Sequence, residues 1–167
     1  AYVGYPNKEV RTAMAQLYTE QLLAGLTIEQ AGGENIPLIL ATENAQSVFH
    51  LLNRLFASID YRGYPAKDES SVRAFVQILF TGAGLEPRVE VHNHKGRSDL
   101  EVRAGNRRWV FEFKYCREGE NSEKLLQEAV EQIRSRHYGE QSSVSELIRL
   151  ALVFSEKERR FTKWTEI

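Results

Sequence analysis

The stretch "GRSDLEVRAGNRRWVFEFKY", residues 96–115, decides how the chain is read. Gly105-Asn106 is a good two-residue turn for a β-hairpin. With the turn there, Leu100 faces Phe111 and Val102 faces Trp109, apolar on both sides, and Phe113 extends that face toward a core. A slip of one residue would set Phe111 against Asp99 or Glu101, so the turn and the hydrophobic pattern fix one register together. The other face then carries Asp99 across from Glu112, with Lys114 two residues further on. Like charges opposed across a sheet are destabilising, so the arrangement needs a reason. Cross-strand partners have Cβ atoms about 4.5–5.5 Å apart, close enough for two carboxylates to share one divalent cation. A hard ion such as Mg²⁺ takes oxygen ligands, often one or two carboxylates with waters and a substrate phosphate. Lys114 would then reach a bound water or a phosphate oxygen. The competing reading makes Asp99, Glu112 and Lys114 ordinary charged residues on the wet face of an antiparallel hairpin.

The flanking sequence supplies the rest of a domain. Apolar positions recur at helical spacing over residues 6–24, 44–58 and 68–83, with Asn7 and Asp68 as caps and Gly84 as a stop. The connection between the first two helices is rich in breakers. The period then changes: residues 88–93, 99–103 and 109–115 read as strands. Residues 121–138 return to a helix, with a Leu125, Leu126, Ala129, Val130, Ile133 stripe. "IRLALVFS", 148–155, is the continuous apolar run of a buried strand, and 160–167 alternates as a last one. This order predicts an α/β fold with a mixed sheet flanked by helices. It places an N-terminal helical extension at 1–60 and the core at 61–167, as one compact unit.

Composition sets outer limits. The chain has 167 residues, 42% of them apolar, and a formal net charge of -1. That suffices for one full core. No run of 18 apolar residues suggests a membrane-spanning helix, and no signal-like segment opens the sequence. Cys116 is the only cysteine, which excludes an internal disulfide or a cysteine metal cage and favours a cytoplasmic setting. Charge is uneven: residues 87–117 hold eight Lys and Arg against four Asp and Glu. Such a basic face suits a polyanionic partner, or is simply a solvated sheet edge.

The same residues carry a resemblance. Gly96-Arg97-Ser98-Asp99 followed by Glu112-Phe113-Lys114-Tyr115 is similar to the motif of the PD-(D/E)XK nuclease superfamily. "YPNKEV" at 5–10 and Ala129, Gln132, Ile133 and Tyr138 on the following helix resemble its branch found C-terminal to a degenerate ATPase-like domain in bacterial proteins. Ser98 stands where the superfamily has Pro. The resemblance implies a restriction-endonuclease-like αβββαβ core, a Mg²⁺- or Mn²⁺-dependent phosphodiesterase site and a nucleic-acid substrate, DNA before RNA. It also implies an ATPase-like domain preceding this one in a longer chain. By the same resemblance, Glu69 completes the metal site of Asp99 and Glu112, and Gln132 points into the active site.

Each of these residues also has a plain structural reading. Glu69 is an acid near a helix N-terminus, favoured by the macrodipole, and Gln132 flanks an apolar stripe. Tyr138 anchors a helix end. Arg97, Lys95 and Arg117 are candidates for phosphate contact, although Arg97 can equally pair with Glu101. His92-Asn93-His94 lacks the further ligands a metal site needs and reads as strand surface. Cys116 has no catalytic partner visible in sequence and reads as inert. The rivals to a nuclease are a non-catalytic nucleic-acid- or protein-binding domain of the same fold, and an oligomerisation module built on the N-terminal helices.

Overall fold

The computed structural model describes residues 7–92, 97–135 and 145–167, with the backbone alone for 90–92 and 97–99. Helix α1 spans Lys8–Leu22, α2 Ile36–Thr42, α3 Ala45–Phe56 and α4 Glu69–Gly82. Strands β1 (Arg88–His92), β2 (Arg97–Ala104) and β3 (Arg107–Cys116) follow, then α5 (Ser122–Arg134), β4 (Glu146–Ser155) and β5 (Arg160–Glu166). The helix starts are chemically specified. Asn7 and Asn44 accept from the backbone N–H three residues on, and Asp68 forms a reciprocal capping box with Ser71. Gly84 stops α4 at φ +90°, a conformation that costs glycine nothing.

The five strands lie in sequence order, antiparallel except for the parallel pair β3–β4. A parallel pair needs a long crossover, which α5 provides. The turn and the apolar pairs of the hairpin are as the sequence predicts: Leu100 pairs with Phe111, Val102 with Trp109, and Gly105 turns at φ +58°. The mixed α/β architecture is that of a restriction-endonuclease-like fold.

One large core fills the side of the sheet that carries Trp109, Phe111, Phe113 and Tyr115. It runs without a break from Leu22 in α1 through α3 and α4 to Phe161 in β5. The N-terminal helices therefore share the core of the strands. Helix α2 was not expected from the sequence. It is seven residues long, its preceding Asn35 is left-handed at φ 55°, and no side chain caps it. It is held instead by burial of Ile36 and Leu40 and by the Trp109 indole, which donates to the Leu40 carbonyl at 2.7 Å. Trp109 is fully buried and stacks on Phe111. Trp109→Ala is expected to cost about 3–5 kcal/mol, read as a lower urea midpoint. A loss under about 1 kcal/mol would mean that α2 does not depend on this anchor.

Helix α5 covers the opposite side of the sheet. Leu126, Ala129, Val130 and Ile133 pack on Ala151 and Val153 of β4. The face of β3 bearing Glu112 and Lys114 is thus roofed by a helix.

Candidate active site

Strand β3 carries the site because its neighbours change along its length. Its ladder with β2 runs from Ala104–Arg107 to Leu100–Phe111 and, among the described residues, ends there. Strand β2 continues against β1 as far as the Arg97–His92 pair, and β3 continues against β4 through Cys116. The β2–β3 ladder therefore stops one position short of the Asp99–Glu112 pair expected from the sequence. Side chains alternate along a strand, so Glu101 and Arg103 share the face of Val110, Glu112 and Lys114. The side chain of Asp99 lies outside the described residues.

Glu112 and Lys114 are only 3% and 7% exposed. Their neighbours across the parallel pair are Ala151 and Val153, both fully buried. The reading of this face as a wet surface is therefore corrected by α5, whose apolar stripe covers it. Burying ionised groups in apolar surroundings is costly unless they are paired. Lys114 Nζ has Glu69 Oε1 at 3.9 Å, the outer limit of an ion pair, and the Glu69 side chain is half-exposed.

The approach of Glu69 is built by the residues around it. The Tyr115 hydroxyl donates to the Ala66 carbonyl at 2.7 Å, and the Arg117 guanidinium donates to the Lys67 carbonyl at 3.4 Å while lying over the Tyr115 ring. These contacts pin the segment leading into α4 against the end of β3, and the Asp68 cap then starts the helix with Glu69 beside Lys114. Burial pushes the Tyr115 hydroxyl pKa up, with Glu156 adding to it, so the hydroxyl stays a donor. Burial likewise pushes the Cys116 thiol up, with Glu120 and Glu156 reinforcing the shift. A thiol held protonated is a poor nucleophile, in keeping with an inert cysteine.

Gln132 is 9% exposed on α5, between Ala129 and Ile133 of the stripe facing the sheet. Its Oε1 is buried and accepts no hydrogen bond among the described residues. An unsatisfied buried acceptor costs about 1–3 kcal/mol, so this amide oxygen is available to a water or ligand proton. Carboxylate and amide oxygens are the donor types that a hard divalent cation takes. Among the described residues no three Asp, Glu, His or Cys converge as metal ligands, and Asp99 stands outside that set.

The remaining candidates divide. Arg117 sits exposed at the end of β3, next to the site. Arg97 opens β2, and its expected partner Glu101 is instead held by Arg108 in a partly buried ion pair. Lys95, Asn93, His94 and Tyr138 lie outside the described residues, as does the side chain of His92. Two basic residues of the hairpin serve structure. Arg108 neutralises Glu101, and Arg107 donates to the Glu43 carbonyl and pairs with Glu146 at 3.2 Å.

A mixed five-stranded sheet that forks beside a buried Glu-x-Lys defines a nuclease-like α/β domain. A model of the PD-(D/E)XK nuclease superfamily matches residues 67–164, well over half of the chain, and the protein belongs to that superfamily. The match begins just before α4 and ends within β5, spanning every element that contributes to the site. No curated protein matches the chain significantly. The superfamily hydrolyses phosphodiester bonds, which gives the chain a nuclease-type function and a nucleic-acid substrate as its class. Among the described residues no helix is long and apolar enough to cross a membrane.

Proposed function

We propose that this chain is a divalent-metal-dependent nuclease whose active site is formed by Asp99, Glu112, Lys114 and Gln132. Asp99 and Glu112, joined by Glu69, would hold Mg²⁺ or Mn²⁺. Bound there, the cation supplies Lewis-acid polarisation of the phosphodiester and a water of lowered pKa. The chain's own groups do the rest. Lys114 places a positive charge where negative charge accumulates on the phosphorane, in a site that α5 keeps dry. Gln132 Oε1 accepts a hydrogen bond from the attacking water and so orients it, leaving the proton on that water until it is passed to solvent. Lys95, Arg97 and Arg117 would bind flanking phosphates. The observation that carries this reading is the burial of Glu112 beside Lys114, a cost that a passive surface would not need to bear.

Calorimetric titration with Mn²⁺, run beside a cleavage assay on a panel of DNA and RNA substrates, tests the reading. A chain that binds no divalent ion and cuts nothing, with an ATPase-like partner domain supplied, is instead a binding module of the same fold. DNA is the expected substrate, a cytoplasmic setting the expected location, and a preceding ATPase-like domain the expected neighbour.

Binding should also report its electrostatics. Three phosphate contacts, from Lys95, Arg97 and Arg117, give a slope of log K against log salt of about −2.1 to −2.7. Affinity for an oligonucleotide that reaches these three residues alone should then fall about 20–40-fold from 50 to 200 mM salt, and charge reversal at Lys95 and Arg97 should flatten that slope. Affinity indifferent to salt would point to a protein partner.

A further inference from the structure

Strand β1 begins one turn too late to cover all of β2. Its pairing stops at Arg88–Glu101, which leaves the edge of β2 from Val102 onward open. A cleft of about 340 Å³ lies there, bounded by that edge, by residues 84–86 after α4 and by Lys8 at the start of α1. Three cations line it: Lys8, Arg88 and Arg103. All three are exposed, and none has an ion pair or side-chain hydrogen bond among the described residues. Of the two carboxylates in the lining, Glu101 is neutralised by Arg108, which leaves Glu86 at the rim. Among the described residues the cleft therefore sets three cations against Glu86, in a space of a size that takes a nucleotide-like group.

Its position relative to the active site follows from the register. Arg103 lies four residues from Asp99 on β2, on the face of Glu112 and Lys114. Arg88 faces Glu101, two residues from Asp99, also on that face. At roughly 3.3 Å per residue these cations stand about 7–13 Å along the strand from the position of Asp99. Measured along a duplex axis lying parallel to β2, that distance corresponds to the rise of about two to four nucleotides. Helix α5 roofs β3 and β4, while Arg88 and Arg103 stay open to solvent, so a strand leaving the site along β2 meets no covering element among the described residues.

We propose that this cleft is a phosphate subsite that grips the substrate strand two to four nucleotides from the scissile bond through Lys8, Arg88 and Arg103. The proposal rests on the nuclease reading and assigns the direction in which the strand leaves the active site.

The test measures binding of labelled oligonucleotides by fluorescence anisotropy, without divalent metal, across a salt series. Arg88→Gln/Arg103→Gln is compared with Arg62→Gln, a control at an exposed arginine of the loop before α4. Loss of two phosphate contacts should reduce the salt slope by about 1.4–1.8 and weaken an octanucleotide at least tenfold at low salt. Lys8→Gln alone should reduce the slope by about half as much. A dinucleotide, too short to reach from the active site to the cleft, should bind the double variant and the wild type alike. An unchanged slope for the octanucleotide, or an equal loss with Arg62→Gln, overturns the subsite while leaving the nuclease reading intact. Equal weakening of the dinucleotide overturns the two-to-four-nucleotide placement. A wild-type chain that binds no oligonucleotide at low salt overturns the subsite and the nuclease reading together.

Discussion

Asp99→Asn is expected to abolish Mg²⁺- or Mn²⁺-dependent cleavage while the chain folds as before. The substitution keeps the shape of the side chain and removes the charge that a hard cation requires of its ligand. Lewis-acid activation is worth several kcal/mol, so the rate should drop by at least about three powers of ten. The sign of the stability change separates a ligand from a structural residue. Without metal, one of two carboxylates proposed to meet at the metal site is neutralised, and like charges held close together repel. The melting temperature of the metal-free variant should therefore hold or rise. With metal the order reverses. Ligand at about a hundredfold excess over its Kd adds about 2.7 kcal/mol, or about 5–10 °C for a chain of this size, and only the wild type should show it. An Asn variant with the full Mn²⁺ shift would remove Asp99 from the metal site.

The hairpin was legible because two independent signals agreed. Gly105-Asn106 set the turn, and the Leu100–Phe111 and Val102–Trp109 pairs set the face, so the register could not slip. The helix starts were legible through Asn7 and Asp68, whose side chains do what those residue types do at a cap. Helix α2 was not legible, because seven residues hold too few turns for a periodic pattern and its anchor, Trp109, lies far away in sequence. Strand β3 is the instructive case. Its alternation of apolar and charged residues reads as one buried and one wet face, yet Glu112 and Lys114 are both buried. The signal that could have shown this lies in the next strand. The apolar run from Leu150 to Phe154 of β4 requires cover on both faces, and a helix wide enough to cover Ala151 and Val153 also covers their parallel neighbours Glu112 and Lys114. The end of the β2–β3 ladder and the capture of Arg107 by Glu43 and Glu146 depend on contacts between distant segments, which no local pattern encodes.

Lys114→Met is expected to lower cleavage by about 10²–10³-fold, with metal binding kept or tightened and stability undiminished. Removing one preorganised group that faces developing negative charge typically costs about 2.7–4 kcal/mol of transition-state stabilisation. A nearby cation also competes electrostatically with a bound metal ion, so its loss favours the metal. The stability side follows from the burial of the two partners. Lys114 is 7% exposed, whereas Glu69, its partner at 3.9 Å, is half in solvent. Breaking a fully buried pair strands a charge at a cost of several kcal/mol, but replacing a buried charge by an apolar group of similar volume is often neutral or stabilising. Here the side chain left behind can be hydrated. Met fills the same space between Val153 and the α5 stripe without an ammonium to desolvate, so the metal-free melting temperature should hold or rise. A lysine kept for structure alone gives the opposite pattern, a lower melting temperature with unchanged cleavage per folded molecule. Glu69→Gln divides the two roles open to Glu69. A metal ligand there predicts weaker Mn²⁺ binding by calorimetry. A tether for Lys114 predicts unchanged Mn²⁺ affinity and a slower reaction, because the ammonium is then free to leave the position in which it meets the phosphate.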